Sequence, residues 1–381
     1  MATTYGIVLK SRDGLTAYHL AGYSQMKWGR GLNSVGALEL NIPADLFPFD
    51  IKDAIDTRIE IWRKVEGDSS FYLDGNTCYF IRAVEESITQ EGANNLIIRG
   101  ADAMSLLGRR IIAYETGSDE ATKWDCSDDI MKELVSENLG TDAANPDRDL
   151  SAYLEIAGNT SQGPVIYKTC AWENLFKTLQ DIANASYQEA LSSGEQFLFF
   201  DVEYDPSATK PFRFCTYIDQ IGTDRTSDSA YPLTLQAPSA NIPSAKKIYD
   251  YSGEINVVYA LGQGYEDAIE TTTATASDRI NLSPFNRREV SVKIQDTEDI
   301  EELQTEADDV LQKNRPKIYL DADLLDSKEY VFGRDFYYGD RIMVNARGTV
   351  FETHLMSYSV ELGGGGQRVN VKLRGEEYVS H

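Results

Sequence analysis

Hydrophobic and polar positions alternate with period two along much of this chain, and the pattern changes to a helical period in three longer stretches. Residues 5–112 read mainly as strands. "YGIVLKS" and "LTAYHLA" flank an Arg-Asp-Gly turn at Arg12 to Gly14, a hairpin signal. "ALELNIP" alternates and ends at Pro43. "RIEIWRK" puts Ile59, Ile61 and Val65 near one face and Glu60 and Trp62 on the other. "CYFIRAV" and "NNLIIRG" follow, then "ADAMSLLGRR" as a short turn or helix ending at Gly108.

From residue 113 to about 235 the character is mixed α+β. "CSDDIMKELVSENLG" spaces Ile130, Leu134 and Leu139 as a helix, with Ser127 as N-cap and Gly140 as its stop. "AWENLFKTLQDIANAS" gathers Trp172, Leu175, Phe176, Leu179 and Ile182 on one helical face. "FLFFDVEY" and "FRFCTYI" flank "DPSATKP" as a hairpin. "QAPSANIPSA", residues 236–245, reads as a linker. Beyond it "EINVVYALG" and "REVSVKI" are strands, and "TTTATASD" is a polar loop or edge strand. "LGQGYEDA" reads as a hairpin turn, since no strand–helix context supports nucleotide binding. Residues 297–315 form a helix with Ile300, Leu303, Ala307, Val310 and Leu311 as its stripe, stopped by Pro316.

Two segments share a plan. "IDTRIEIWRKVEGDSSFYLDGNTCYFIRAVEESITQEGANNLIIRGAD" and "YYGDRIMVNARGTVFETHLMSYSVELGGGGQRVNVKLRGEE" each begin on an Arg-Ile strand and end in Arg-Gly. Phe80 to Gly100 spans 21 residues and His354 to Gly375 spans 22. Loops absorb insertions while strand registers do not. The pattern predicts two related β-barrel domains with a different domain between them; two meanders that merely end alike are the alternative. Three copies of such a chain make six quasi-equivalent barrels, which stack on a true hexamer. Arg58, Arg99, Arg341 and Arg374 recur in the two copies. They are the candidate inter-barrel contacts, against ordinary exposed strand residues. The expected organisation is a first barrel at 1–112, an α+β domain at 113–235, the linker 236–245, a peripheral β segment at 246–295 packed with the second barrel, and that barrel at 296–381.

Composition narrows the function. The formal net charge of −25 opposes wrapping nucleic acid and docking on anionic membrane. It permits nucleic acid to pass through an acidic channel without sticking. Cys78, Cys126, Cys170 and Cys215 are far apart and read as reduced packing residues of a protein made in a cytosol. No signal peptide or apolar 18-residue span is present in the sequence. His19 and His354 are strand residues and His381 is terminal, with no G-x-S-x-G elbow, so no nucleophilic triad is expected. "YLDADLLDS" clusters Asp321, Asp323 and Asp326 without the glycine and closing glutamate of a calcium loop, and reads as a solvated acidic turn. No catalytic residue, cofactor or metal is expected.

The order of parts resembles the tail-hub proteins of long-tailed bacteriophages, the siphophage hub family above all. The resemblance rests on "MKWGRGLNSVGALELNIPADL" at 26–46, "NVVYALGQG" at 256–264, "RREVSVKIQDTEDIEELQTEADDVLQ" at 287–312 and "YYGDRIMV" at 337–344. It implies a structural virion protein at the tail tip: a homotrimer whose barrels form a pseudo-hexameric ring around a channel for DNA. It also implies that tail-tube, distal-tail, tape-measure and receptor-binding or fibre proteins are its partners. The middle domain and residues 250–290 would lie outside the ring. The sequence ends seven residues after Arg374, so the fibre or lytic extension of many such hubs is expected on another polypeptide. The alternatives are a non-enzymatic glycan- or receptor-binding β-protein, with tyrosines on a concave surface, and a glycan hydrolase whose carboxylate pair is not identifiable among 61 acidic residues.

Overall fold

The computed structural model describes residues 3–88, 94–113, 121–193, 198–226, 230–239, 241–263, 270–293, 300–325, 330–364 and 366–378. The chain is mainly β, with an α+β insertion, and fifteen strands join one large sheet. Within it the same unit occurs twice. In the first, Gln25–Gly31, Ser34–Pro43, Asn94–Asp102, Tyr79–Ile88 and Arg58–Val65 lie side by side, all antiparallel. In the second, Ala245–Asp250, Lys317–Leu325, Gly366–Tyr378, Thr349–Gly363 and Arg341–Ala346 do the same. Both run 1-2-5-4-3 in chain order.

Backbone details make the equivalence specific. Each fourth strand carries a bulge, after Ile81 in one unit and after Leu355 in the other. The Ile81 amide donates to the Thr57 carbonyl at 2.9 Å, and the Leu355 amide donates to the Asp340 carbonyl at 2.9 Å. The preceding residues, Asp56 and Gly339, both have positive φ, at 61° and 82°. Arg58 and Arg341 therefore hold equivalent positions. Arg99 and Arg374 do not: relative to the bulge they are displaced by two residues, which keeps the face but changes the neighbour.

Closed barrels were expected, and the described strands do not close. A barrel must pair its first strand with its last. Here the free edge of the first strand, Met26–Gly31, is occupied by Ser357–Leu362 of the second unit. The 15-residue strand Thr349–Gly363 makes this possible. Its first half pairs with Arg341–Ala346 and its second half crosses to the first unit. One core results, in which Trp28, Leu40 and Ile98 pack with Phe332, Phe351 and Val360.

The intervening region has helices Ser127–Leu139 and Leu175–Ser193 over the hairpin Leu198–Tyr204 and Phe212–Ile218. The second helix starts after Trp172, which has φ +60° and is exposed, so Trp172 is not on the apolar face expected of it. Ser127 opens its helix without capping it, because the cap position falls on Cys126. Asp128 and Asp129 instead hold the 160–162 loop, accepting from the amides of Gln162, Thr160 and Ser161. Thr234–Ala237, at the start of the expected linker, pairs in parallel with Met343–Ala346. A separate three-stranded sheet, Val257–Leu261, Thr271–Thr275 and Glu289–Lys293, carries the helix Ile300–Lys313 through Leu303, Ala307 and Leu311. The acidic stretch expected as a turn lies in the strand Lys317–Leu325, and Asp326 falls outside the described residues.

Candidate functional site

Two features of the large sheet bear on function: the buried junction between its units, and the polar face that both units share. The junction centres on Asp74, which is buried in the 3-10 turn Asp74–Asn76. Trp28 Nε1 donates to its Oδ2 at 2.7 Å, the Tyr358 hydroxyl donates to Oδ2 at 3.1 Å, and the Tyr337 hydroxyl donates to Oδ1 at 3.0 Å. Arg63 lies 3.7 Å from the same carboxylate and donates to the Phe332 carbonyl at 2.5 Å. Its guanidinium also lies 4.8 Å from the centre of the Phe332 ring. One carboxylate thus gathers donors from both units. A buried charge is stable only when paired and hydrogen-bonded, which makes such a cluster specific in geometry.

Arg30 extends the junction to the intervening region. It pairs with Asp102 at 3.1 Å and Asp201 at 2.5 Å, and donates to the Gly75 carbonyl. Burial pushes the Asp102 carboxyl up to about 6 against the pull of Arg30, with Asp201 adding to the rise. Gly75, at φ +68°, leaves room for Arg30 and Tyr358: a Cβ there would lie 2.5 Å from the Tyr358 hydroxyl. Glu60 is buried as well, although the alternating pattern put it on an outer face. It accepts from the Tyr204 hydroxyl at 2.6 Å and pairs with Lys10 at 2.8 Å. The intervening domain covers that face of Arg58–Val65, so both faces of the strand are buried.

Sequence reasoning passed over Arg30, Glu60, Arg63, Asp74 and Asp201. The signal available was a lone charge inside an apolar run, as in "FLFFDVEY" and "RIEIWRKV". A charge in a strand that buries both faces must find an internal partner.

The Gly-Asp-Arg-Ile stretch has a structural role. Asp340 is buried and accepts from the amides of Thr223 and Tyr337 at 2.7 and 2.8 Å and from Arg225 Nε at 2.9 Å. Gly339 passes so close to the 221–222 segment that a Cβ would lie 2.9 Å from the Gly222 nitrogen.

The opposite face of the sheet is polar and changes sign from strand to strand. Glu361 faces Lys27, Lys27 faces Glu39, and Glu39 faces Arg99. Arg99 bridges Glu39 and Glu85, each at 3.0 Å. In the second unit Arg368 faces Glu361, and Asp323 faces Lys372. The face is mixed in sign, so the net charge of −25 is carried mainly elsewhere.

The four recurrent arginines have different surroundings. Arg58 is buried over the rings of Tyr204 and Phe212, at 5.9 and 6.0 Å. Arg99 lies exposed between two glutamates of its own unit. Arg341 pairs with Glu352 at 2.6 Å and approaches Asp224 at 4.0 Å. Arg374 is opposite His354 and borders a cavity lined also by Asn33, Gln180 and Phe199. His354 lies in the strand Thr349–Gly363. Burial, with Arg341 beside it, pushes its imidazole down to about 4. The four cysteines are free, and burial raises the thiols of Cys78 and Cys215. Among the described residues, no group of three or more His, Cys, Asp or Glu is placed to hold a metal ion.

The fold as a whole is similar to that of tail proteins of known structure. The tail protein from Neisseria meningitidis MC58 is similar with a TM-score of 0.54 at 14% identity, over 97% of this chain and 96% of that one. The 43 kDa tail protein of prophage MuSo2 from Shewanella oneidensis is similar with a TM-score of 0.53 at 11% identity, over 97% and 98% of the two chains. No curated protein matches significantly. Residues 15–373 match the family described as Siphovirus ReqiPepy6 Gp37-like protein, and the chain belongs to that family.

Proposed function

We propose that the chain is the hub at the tail tip: three copies form a ring of six like sheet units that closes the tail tube and connects it to the distal apparatus. The observation that carries this is the doubled 1-2-5-4-3 unit fused edge to edge within one chain. A heterologous contact repeated by rotation closes into a ring, and a chain holding two equivalent units matches a six-fold tube with three copies. The polar face lines the channel in this reading. It presents alternating charges to passing DNA, in place of the acidic wall that the overall charge suggested. Such a surface offers no run of cations for phosphate neutralisation, so DNA slides without specific binding. The tail tube, tape measure, distal-tail and receptor-binding proteins are the partners, and the protein has no catalytic role.

The test is solution mass by light scattering with negative-stain images of the same peak. Three chains and a three-fold ring with a central hole support the hub. A monomer at high concentration, with no ring alongside tail-tube protein, rejects it. Arg341→Ala and Arg374→Ala test the arginines: unchanged oligomer stability removes both from the ring contact.

A second reading rests on Trp124 and Tyr167. They stand 78% and 65% exposed on the two-stranded antiparallel sheet of Ala121–Cys126 and Val165–Cys170, with ring centres 6.4 Å apart. Exposed aromatic rings suit sugar faces. Glycan-array binding that disappears in Trp124→Ala favours a glycan-binding role for this domain.

A further inference from the structure

Each sheet unit has two edges, and the structure shows how one pair of edges joins. Within the chain, Ser357–Leu362 on the fourth strand of the second unit pairs with Met26–Gly31 on the first strand of the first unit. The equivalent edges at the far ends have no such partner among the described residues. On the fourth strand of the first unit, only Tyr79 and Phe80 pair with Arg58–Val65, so Ala83–Ile88 is bonded on one side alone. The first strand of the second unit, Ala245–Asp250, pairs only with Lys317–Leu325. Exposed strand edges are ready templates for another strand, and charge on them governs which strand is accepted.

The repeat sets the register. Glu85 follows Ile81 by four residues, as Ser359 follows Leu355 by four, and Ile81 and Leu355 are the two bulge residues. On the other edge Trp28 aligns through Leu38 and Gly100 with Ile81, while Ala245 aligns through Ala322 and Leu373 with Leu355. Lys246 is therefore the equivalent of Gly29. Within the chain Ser359 faces Gly29. Transferred to the free edges, that pair becomes Glu85 opposite Lys246.

We propose that a second copy of this chain pairs its Ala245–Asp250 edge antiparallel with Ala83–Ile88, setting its Lys246 against Glu85 and reproducing between chains the junction seen within one. Two further observations favour this occupant. The edges are opposite in charge, Glu85 and Glu86 on one and Lys246 and Lys247 on the other. Glu85 also belongs to the polar face through Arg99, and Lys246 belongs to it through register with Asp321 and Arg374, so the two side chains emerge on one side. Arg99 is then a positioning residue that holds Glu85 at the seam. The contact is head-to-tail and isologous pairing is excluded, as ring growth requires. The inference rests on the hub reading for the number of copies, and its own content is which edges meet and in what register.

The test uses the full chain in a Cys126→Ser background. Glu85→Cys and Lys246→Cys are made as separate variants, mixed in equal amounts and oxidised. The mixture is expected to give a covalent dimer absent from either variant alone, and the double variant a covalent ring. Glu85→Lys or Lys246→Glu alone is expected to weaken assembly at least tenfold, and the combined reversal to restore it. A three-fold ring in images with no cross-link from the mixture overturns this seam and leaves the hub reading standing. A wild-type chain that stays monomeric at every concentration, alone and with tail-tube protein, overturns both.

Discussion

The Tyr358 hydroxyl donates to the Asp74 carboxylate at 3.1 Å across 284 residues of chain, and this bond joins the second sheet unit to the first inside a common core. Asp74 also accepts from Trp28 and Tyr337 and balances Arg63. Asp74→Ala leaves a buried guanidinium and three donors unanswered, and is expected to cost about 3–5 kcal/mol. Tyr358→Phe removes one bond and should cost about 1–2 kcal/mol. Urea unfolding checks both; a loss below about 1 kcal/mol for Asp74→Ala would sink the latch.

Gly29 makes the seam between the units possible. A Cβ there would lie 2.2 Å from the Tyr358 carbonyl oxygen and 3.1 Å from the Ser359 Cα. Both are backbone atoms of the paired strand, so no rotamer change relieves the clash. Gly29→Ala is expected to lower the unfolding midpoint clearly, while Gly253→Ala, with nothing within 4 Å, stays near wild type. Equal midpoints for the two would show that the seam yields.

Acid should act on the fold through His354. Its folded value near 4 lies below the ordinary 6.5, so the unfolded chain takes up the proton first. The stability it contributes is complete above about 6.5 and is lost as pH falls toward 4, at roughly 1.4 kcal/mol per pH unit. Asp102 has the opposite sign: its folded value near 6 lies above 3.8, so its contribution is present at low pH and lost as pH rises through 6. His354→Gln should flatten the acid limb of the stability curve and Asp102→Asn should steepen it. Curves that stay parallel to wild type would contradict both assignments.

The recurrent arginines should differ in cost. Arg58 is buried against Tyr204 and Phe212, so Arg58→Ala removes desolvated cation–π contacts and packing worth about 2–3 kcal/mol. Arg99 is exposed between two glutamates, so Arg99→Ala should change monomer stability by less than about 1 kcal/mol. Thermal unfolding at a concentration where the chain is monomeric measures each, and the reverse order would contradict this account.

What the sequence by itself determined is local. Period-two alternation marked strands such as Ser34–Pro43 and Glu289–Lys293, and the stripe of Leu303, Ala307 and Leu311 marked the helix Ile300–Lys313. Side-chain period follows from backbone geometry alone, so neighbours in the chain suffice to reveal it. The doubled plan was visible for the same reason, in the Arg-Ile strand starts and the hairpin lengths. Tertiary structure decided the rest. The face of Glu60 that alternation set opposite the apolar one is buried because a domain more than a hundred residues away packs over it. The sheets stay open because Ser357–Leu362 takes the edge at Met26–Gly31 that barrel closure needs. Arg58 and Arg341 are equivalent while Arg99 and Arg374 are not, since strand pairing sets the two Arg-Gly steps two residues apart relative to matching bulges. Long-range strand pairing is selected by the summed burial and hydrogen bonding of the whole core, and no short window of sequence contains that sum.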